Sequence, residues 1–98
     1  MKKLSKVLKS KRESRGLLLR ELASKINVDT ALISKIENDD RRPTKEQLKK
    51  LSKALEINFM TLSTLWYAEK IYDEIKNEKN IDDILKEIKK KVKQPKSI

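Results

Sequence analysis

Aliphatic side chains return every three or four residues along almost the whole chain, a spacing that only an α-helix gathers into one continuous apolar face. A single Gly and two Pro leave few residues suited to the tight turns of hairpins, which argues against an all-β fold. Aromatics are 4% of the residues and charged side chains 41%, so any core must come from Leu, Ile, Val and Ala beneath a heavily charged surface. At 98 residues there is room for one modest core, not for a two-domain enzyme around a buried cleft. The expected class is all-α.

Six helical segments follow from the spacing. Leu4, Val7 and Leu8 give one face of a first helix whose other face carries Lys2, Lys3, Lys6, Lys9 and Lys11; it should stop near Gly16, which suits a C-terminal position with positive φ. A second helix is expected over about 18–26 and a third over about 30–37, with Asp29 as its N-cap. Residues 38–43 are polar, end in Pro43 and read as a loop. Thr44 with Gln47 is a capping-box signature opening a fourth helix, whose buried stripe is Leu48, Leu51, Ala54 and Leu55. A fifth helix is expected from about Met60 to Lys76. The last is marked by Ile81, Ile84, Leu85, Ile88 and Val92, and the basic end, 89–98, is expected to fray.

Lys and Arg outnumber Asp and Glu by 25 to 15, a formal charge of +10 that attracts phosphate backbones, anionic lipid or acidic proteins without choosing among them. With neither Cys nor His, disulfides, thiolate or imidazole metal sites and the usual general base are missing, so neither a cofactor, a metal nor an enzymatic activity is expected. No apolar run approaches the roughly 20 residues that cross a bilayer, and the amino terminus has no signal-peptide h-region; the expected location is cytoplasmic, with no membrane partner.

The most informative stretch is Leu19 to Ile36. Two short helices joined by three residues must cross closely, which calls for a small residue at the crossing, met by Ala23. A sharp turn follows, often through a left-handed residue, met by Asn27. Leu22, Ile26, Val28, Ile33 and Ile36 occupy the inward positions, while Arg20, Glu21, Lys25, Thr30, Ser34 and Lys35 lie between them as outward polar residues. This is the pattern of a helix-turn-helix.

From Leu4 to about Leu62 the chain resembles the DNA-binding domain of the phage-repressor and Cro family, the Xre-type helix-turn-helix regulators. The matching residues are 9–12 (KSKR), Gly16-Leu17, 21–23 (ELA), 33–38 (ISKIEN), Pro43-Thr44 and 51–55 (LSKAL). The resemblance implies a lambda-repressor-like five-helix domain, here over 1–64, with its third helix in the major groove of double-stranded DNA, and a pairing of Arg12 with Glu37 that pins that helix. Residues 65–93 form an additional C-terminal helical extension and 94–98 a basic tail.

Thr30, Ala31, Leu32, Ser34 and Lys35 are the expected base contacts: Lys35 toward guanine, Thr30 and Ser34 toward several edges, Ala31 or Leu32 toward a thymine methyl. Lys9, Lys11, Arg20, Asn38, Arg41, Arg42, Lys45 and Gln47 are expected on phosphates. Two departures stand out. Leu18 and Leu19 occupy the positions where many relatives carry a polar capping pair, and Asp39 replaces the usual Gly after the third helix, a charge for Arg41 and Arg42 to offset.

The extension carries more apolar surface than a small repressor core needs. Trp66, Ile71, Tyr72, Ile75, Ile84, Leu85 and Ile88 are the expected contacts of a homodimer on an inverted repeat. A stand-alone regulator without an evident small-molecule effector is the resulting expectation, as a phage-type repressor, an antitoxin or a restriction-modification controller; the last is resembled through 17–21 (LLLRE) and 29–35 (DTALISK). A protein-interaction module that keeps the fold without reading DNA stays open beside it.

Overall fold

A computed structural model describes residues 2–94, and these are helical throughout, with no strand among them: α1 (Leu4–Ser14), α2 (Leu19–Lys25), α3 (Thr30–Glu37), α4 (Lys45–Leu55), α5 (Phe59–Ile75) and α6 (Ile81–Lys93). No helix among them is long and apolar enough to cross a membrane. The residues after Gln94, including Lys96 of the basic tail, lie outside the described residues.

Each of the first four helices is followed by a residue in the left-handed region: Gly16 (φ 69°), Asn27 (φ 58°), Asp39 (φ 63°) and Glu56 (φ 54°). A Cβ at Gly16 would meet nothing within 4 Å, so glycine is there for its backbone angle and not for space. Asn27 and Asp39 are among the few side chains that tolerate this conformation. Glu56 is not, and two interactions hold its turn: the Ser52 hydroxyl donates to the Ile57 carbonyl at 2.6 Å, and the Glu56 carboxylate pairs with Arg15.

Leu4, Leu8, Leu22, Ala23, Ile26, Ile33, Ile36, Leu48, Leu51, Leu55, Leu62 and Trp66 form one buried cluster drawn from α1 to α5. At about 1.5–3 kcal/mol for each large aliphatic side chain taken out of water, this cluster is the main stabilising contribution. The helix-turn-helix pair α2 and α3 packs most closely, α1 lies across α3 and α4, and α4 packs on α5.

The structure alters two expectations about the C-terminal third. Helix α5 runs unbroken through residue 64 and inserts Trp66 into the core, where its indole N–H donates to the Pro43 carbonyl at 2.8 Å. Trp66 therefore does not belong to an exposed dimer face, and a buried indole needs the partner it has found. Glu69, further along α5, caps the start of α1 by accepting the Leu4 N–H at 2.6 Å. At the other end, α6 keeps its helix through Lys93 instead of fraying from Lys89.

Candidate nucleic-acid interface

The local sequence dictates α3. Asp29 caps it by accepting the Leu32 N–H at 2.8 Å, which satisfies one of the orphan amides of the first turn. Ile33 and Ile36, three residues apart, fall on one side and are buried to 1% and 2% exposure. Thr30, Ala31 and Lys35 are then forced onto the opposite, exposed side, with Ser34 half-buried at its margin. Leu32, expected on a base, is also half-buried and packs against the core, so less of it faces outward than its position suggested.

A buried ion pair locks the helix to the scaffold. Arg12 on α1 donates from Nε to Glu37 Oε2 at 2.7 Å and from Nη2 to Glu37 Oε1 at 3.0 Å, a bidentate fork, and its Nη1 donates to the Leu17 carbonyl at 2.7 Å. The hydrogen bond that Arg12 donates to Glu37 outweighs desolvation and raises the Arg12 pKa above its ordinary value. Nothing buried is left without a partner among the described side chains. One arginine thus ties together the end of α3, α1 and the loop that leads into α2, and α3 is presented as a fixed rod.

The start of α2 adapts to its unusual leucines. Leu18 has no side-chain acceptor to offer, so the Glu21 N–H falls back on the Leu18 carbonyl at 3.0 Å, while the Glu21 carboxylate still accepts the Leu18 N–H at 2.8 Å. Half of a capping box survives. Leu18 itself is 49% exposed, and Leu19 is half-buried against the core.

The expected phosphate contacts divide sharply. Arg20 on α2, Asn38 at the end of α3 and Arg41 in the following loop are exposed, and neither arginine forms an ion pair among the described residues. Lys9 is exposed on the flank of α1 that holds Ser5 and Arg12, next to α3. Lys11, two residues further on, is turned by about 200° on an α-helix. It lies half-buried with Val7 and Ser14 in a groove closed by Glu56, Ile57 and Asn58, away from α3.

Three other expected contacts are already engaged within the chain. Arg42 pairs with Asp73 on α5. The Lys45 ammonium donates to the Tyr67 hydroxyl at 2.8 Å and sits 5.2 Å from that ring's centre, which lowers the Tyr67 pKa below the usual phenol value. Gln47 accepts the Thr44 N–H at 2.9 Å while the Thr44 hydroxyl accepts the Gln47 N–H at 3.1 Å, completing the capping box of α4. Asp39 is neutralised by Lys3, at 3.1 Å, and not by the neighbouring arginines. Spacing along the chain carried no sign of Lys3, Asp73 or Tyr67, because each partner lies 22 to 36 residues away.

Of the expected dimer contacts, Ile71, Tyr72, Leu85 and Ile88 are exposed by 40%, 58%, 42% and 41%, and Ile75 and Ile84 are half-buried. They line the distal half of α5 and one side of α6, which buries none of its residues. The Cα radius of gyration, 16.1 Å, exceeds the roughly 13 Å of a compact chain of this length, as expected when an arm projects from the core.

A family model described as "Helix-turn-helix" matches residues 8–62, from the middle of α1 into α5. A chain in the solved structure of the SinR protein/SinI protein complex is similar over most of its length, with 25% identity, a TM-score of 0.57, and coverage of 93% of this chain and 99% of that one. No curated protein matches the sequence significantly.

Proposed function

The chain belongs to the helix-turn-helix family of DNA-binding transcription regulators, and from that premise we propose that α3 enters the major groove and reads an inverted repeat as one half of a homodimer. The observation that carries this reading is the anchoring of α3. Ile33 and Ile36 are buried on one side, and the Arg12–Glu37 fork holds the helix end at 2.7 and 3.0 Å. Thr30, Ala31, Ser34 and Lys35 are left on the outer flank. A major groove about 12 Å wide accepts one helix so presented.

Lys35 donates to guanine O6 or N7 and Thr30 and Ser34 to neighbouring edges, while Ala31 lies against a thymine methyl. Lys9, Arg20, Asn38 and Arg41 border that flank as phosphate ligands. Arg42 and Lys45 reach phosphate only by exchanging Asp73 and the Tyr67 hydroxyl for it; for Arg42 the cost is small because exposed ion pairs contribute about 0–1 kcal/mol, and for Lys45 it is one exposed hydrogen bond. The regulator is non-enzymatic and acts by occupying its operator, which supports a cytoplasmic location.

Selection of bound duplexes from a random pool, followed by titration at two salt concentrations, tests the reading. A groove reader yields one enriched palindrome, and its affinity falls steeply with salt while its preference persists. Lys35→Ala then weakens operator binding by about 1–3 kcal/mol and relaxes preference at one base pair. A pool that stays unenriched with a folded protein rejects the reading in favour of a protein-interaction module.

A further inference from the structure

The last helix is built to be covered, and its own chain covers it only in part, leaving Ile81 and Ile84 half-buried and the rest of its apolar face exposed. Ile81, Leu85, Ile88 and Val92 follow one another at the four-three-four spacing of a coiled-coil seam, yet Leu85, Ile88 and Val92 are 42%, 41% and 79% exposed. A helix of 13 residues is marginal on its own in water, so it needs tertiary or quaternary packing along that seam.

Charge along α6 says what the cover is. Asp82 and Asp83 occupy the first turn, and Lys89, Lys90, Lys91 and Lys93 the other end. Asp82 and Lys89 flank the seam on one side, while Asp83 and Lys90 fall on the far face; two copies laid side by side in the same direction would bring like-charged ends together. Reversing one copy sets Asp82 of each against Lys89 of the other at both ends at once, and it also opposes the helix dipoles. The seam survives the reversal, since Leu85 and Ile88 lie near its middle and Ile81 and Val92 exchange ends. A surface that complements itself when turned by a twofold is what a symmetric dimer requires.

We propose that α6 pairs antiparallel with α6 of a second copy of this chain, Asp82 facing the partner's Lys89 across the seam. This rests on the homodimer reading above and adds to it the surface and the direction. A helix about 20 Å long supplies too little area for a standard interface of about 800 Å² per partner, so the exposed Ile71 and Tyr72 of α5 belong to the same contact.

The chain has no Cys, so introduced thiols report geometry without interference. Full-length Ile81→Cys and Val92→Cys proteins, one carrying a mass tag, are oxidised separately and as a mixture. In an antiparallel pair the thiols of like variants stay about 16 Å apart, from the rise of eleven residues, and only the mixture forms a disulfide. Self-linked Ile81→Cys overturns the direction. Sedimentation of the unmodified chain, of Ile88→Asp and of Asp82→Lys completes the test. A dimer weakened on the order of a hundredfold by Ile88→Asp, and by the charge reversal in a salt-dependent way, supports the proposal. A dimer untouched by both variants moves the interface off α6 while the homodimer reading stands. An unmodified chain that is monomeric, alone and on operator DNA, overturns both and leaves α6 to a different protein.

Discussion

Helices α4 and α6 are built from the same materials and end in opposite situations. Both are short, Lys-rich and amphipathic, with an aliphatic stripe on one side. In α4, Leu48, Leu51 and Leu55 are at most 1% exposed beneath α1 and α5; in α6 the corresponding Leu85, Ile88 and Val92 remain open. The pattern in the chain states that a face will be covered and is silent on whether its own core or another molecule covers it. The buried core therefore ends at Trp66, with Glu69 and Asp73 of α5 still tied back to it, and the apolar face of the arm beyond is left open.

Substitutions can break that contrast or sharpen it. The largest effect is expected in the locked half: Glu37→Ala strands the Arg12 guanidinium in a buried site and should lower the unfolding free energy by about 3–5 kcal/mol in urea denaturation. Leu48→Ala should cost about 2–5 kcal/mol by the same measurement, through the cavity it opens. Leu85→Ala in the arm should leave the core transition within about 0.5 kcal/mol. Equal losses at 48 and 85 would abolish the distinction between the two regions.

Smaller effects test the contacts that connect them. Arg41→Ala should reduce the salt dependence of DNA binding by about one unit of slope, since that guanidinium is free for phosphate. Arg42→Ala should reduce it less, because Asp73 already holds that side chain. The smallest effect concerns the Lys45 contact: Lys45→Met should return the Tyr67 titration upward toward the ordinary phenol range, read by ultraviolet difference absorbance. The sign follows from the ammonium, which favours the phenolate and whose removal favours the neutral ring.

Much of the site was legible before any coordinates. Aliphatic residues at three- and four-residue intervals located all six helices, and Gly16, Asn27 and Asp29 marked the ends of the first two and the start of the third. The Arg12–Glu37 pair, inferred from resemblance, is present with both of its hydrogen bonds. Three residues sit otherwise than the sequence alone suggested, and they share one cause. Trp66, Arg42 and Lys45 look like exposed or interfacial groups in isolation, and each is captured by a residue 22 to 31 positions away. Lys11 differs from Lys9 only in azimuth around one helix.

The sequence by itself determined the helices, their turns and the side of each that turns inward, because periodicity, capping and positive φ are local and act within a few residues. Only the tertiary structure decided which cations near α3 are left free for phosphate, that α5 crosses from core to arm without a break, and that most of the apolar face of α6 goes uncovered by its own chain. Those outcomes depend on which surfaces meet across long stretches of chain, where a few ångströms determine whether a charge finds a carboxylate or water.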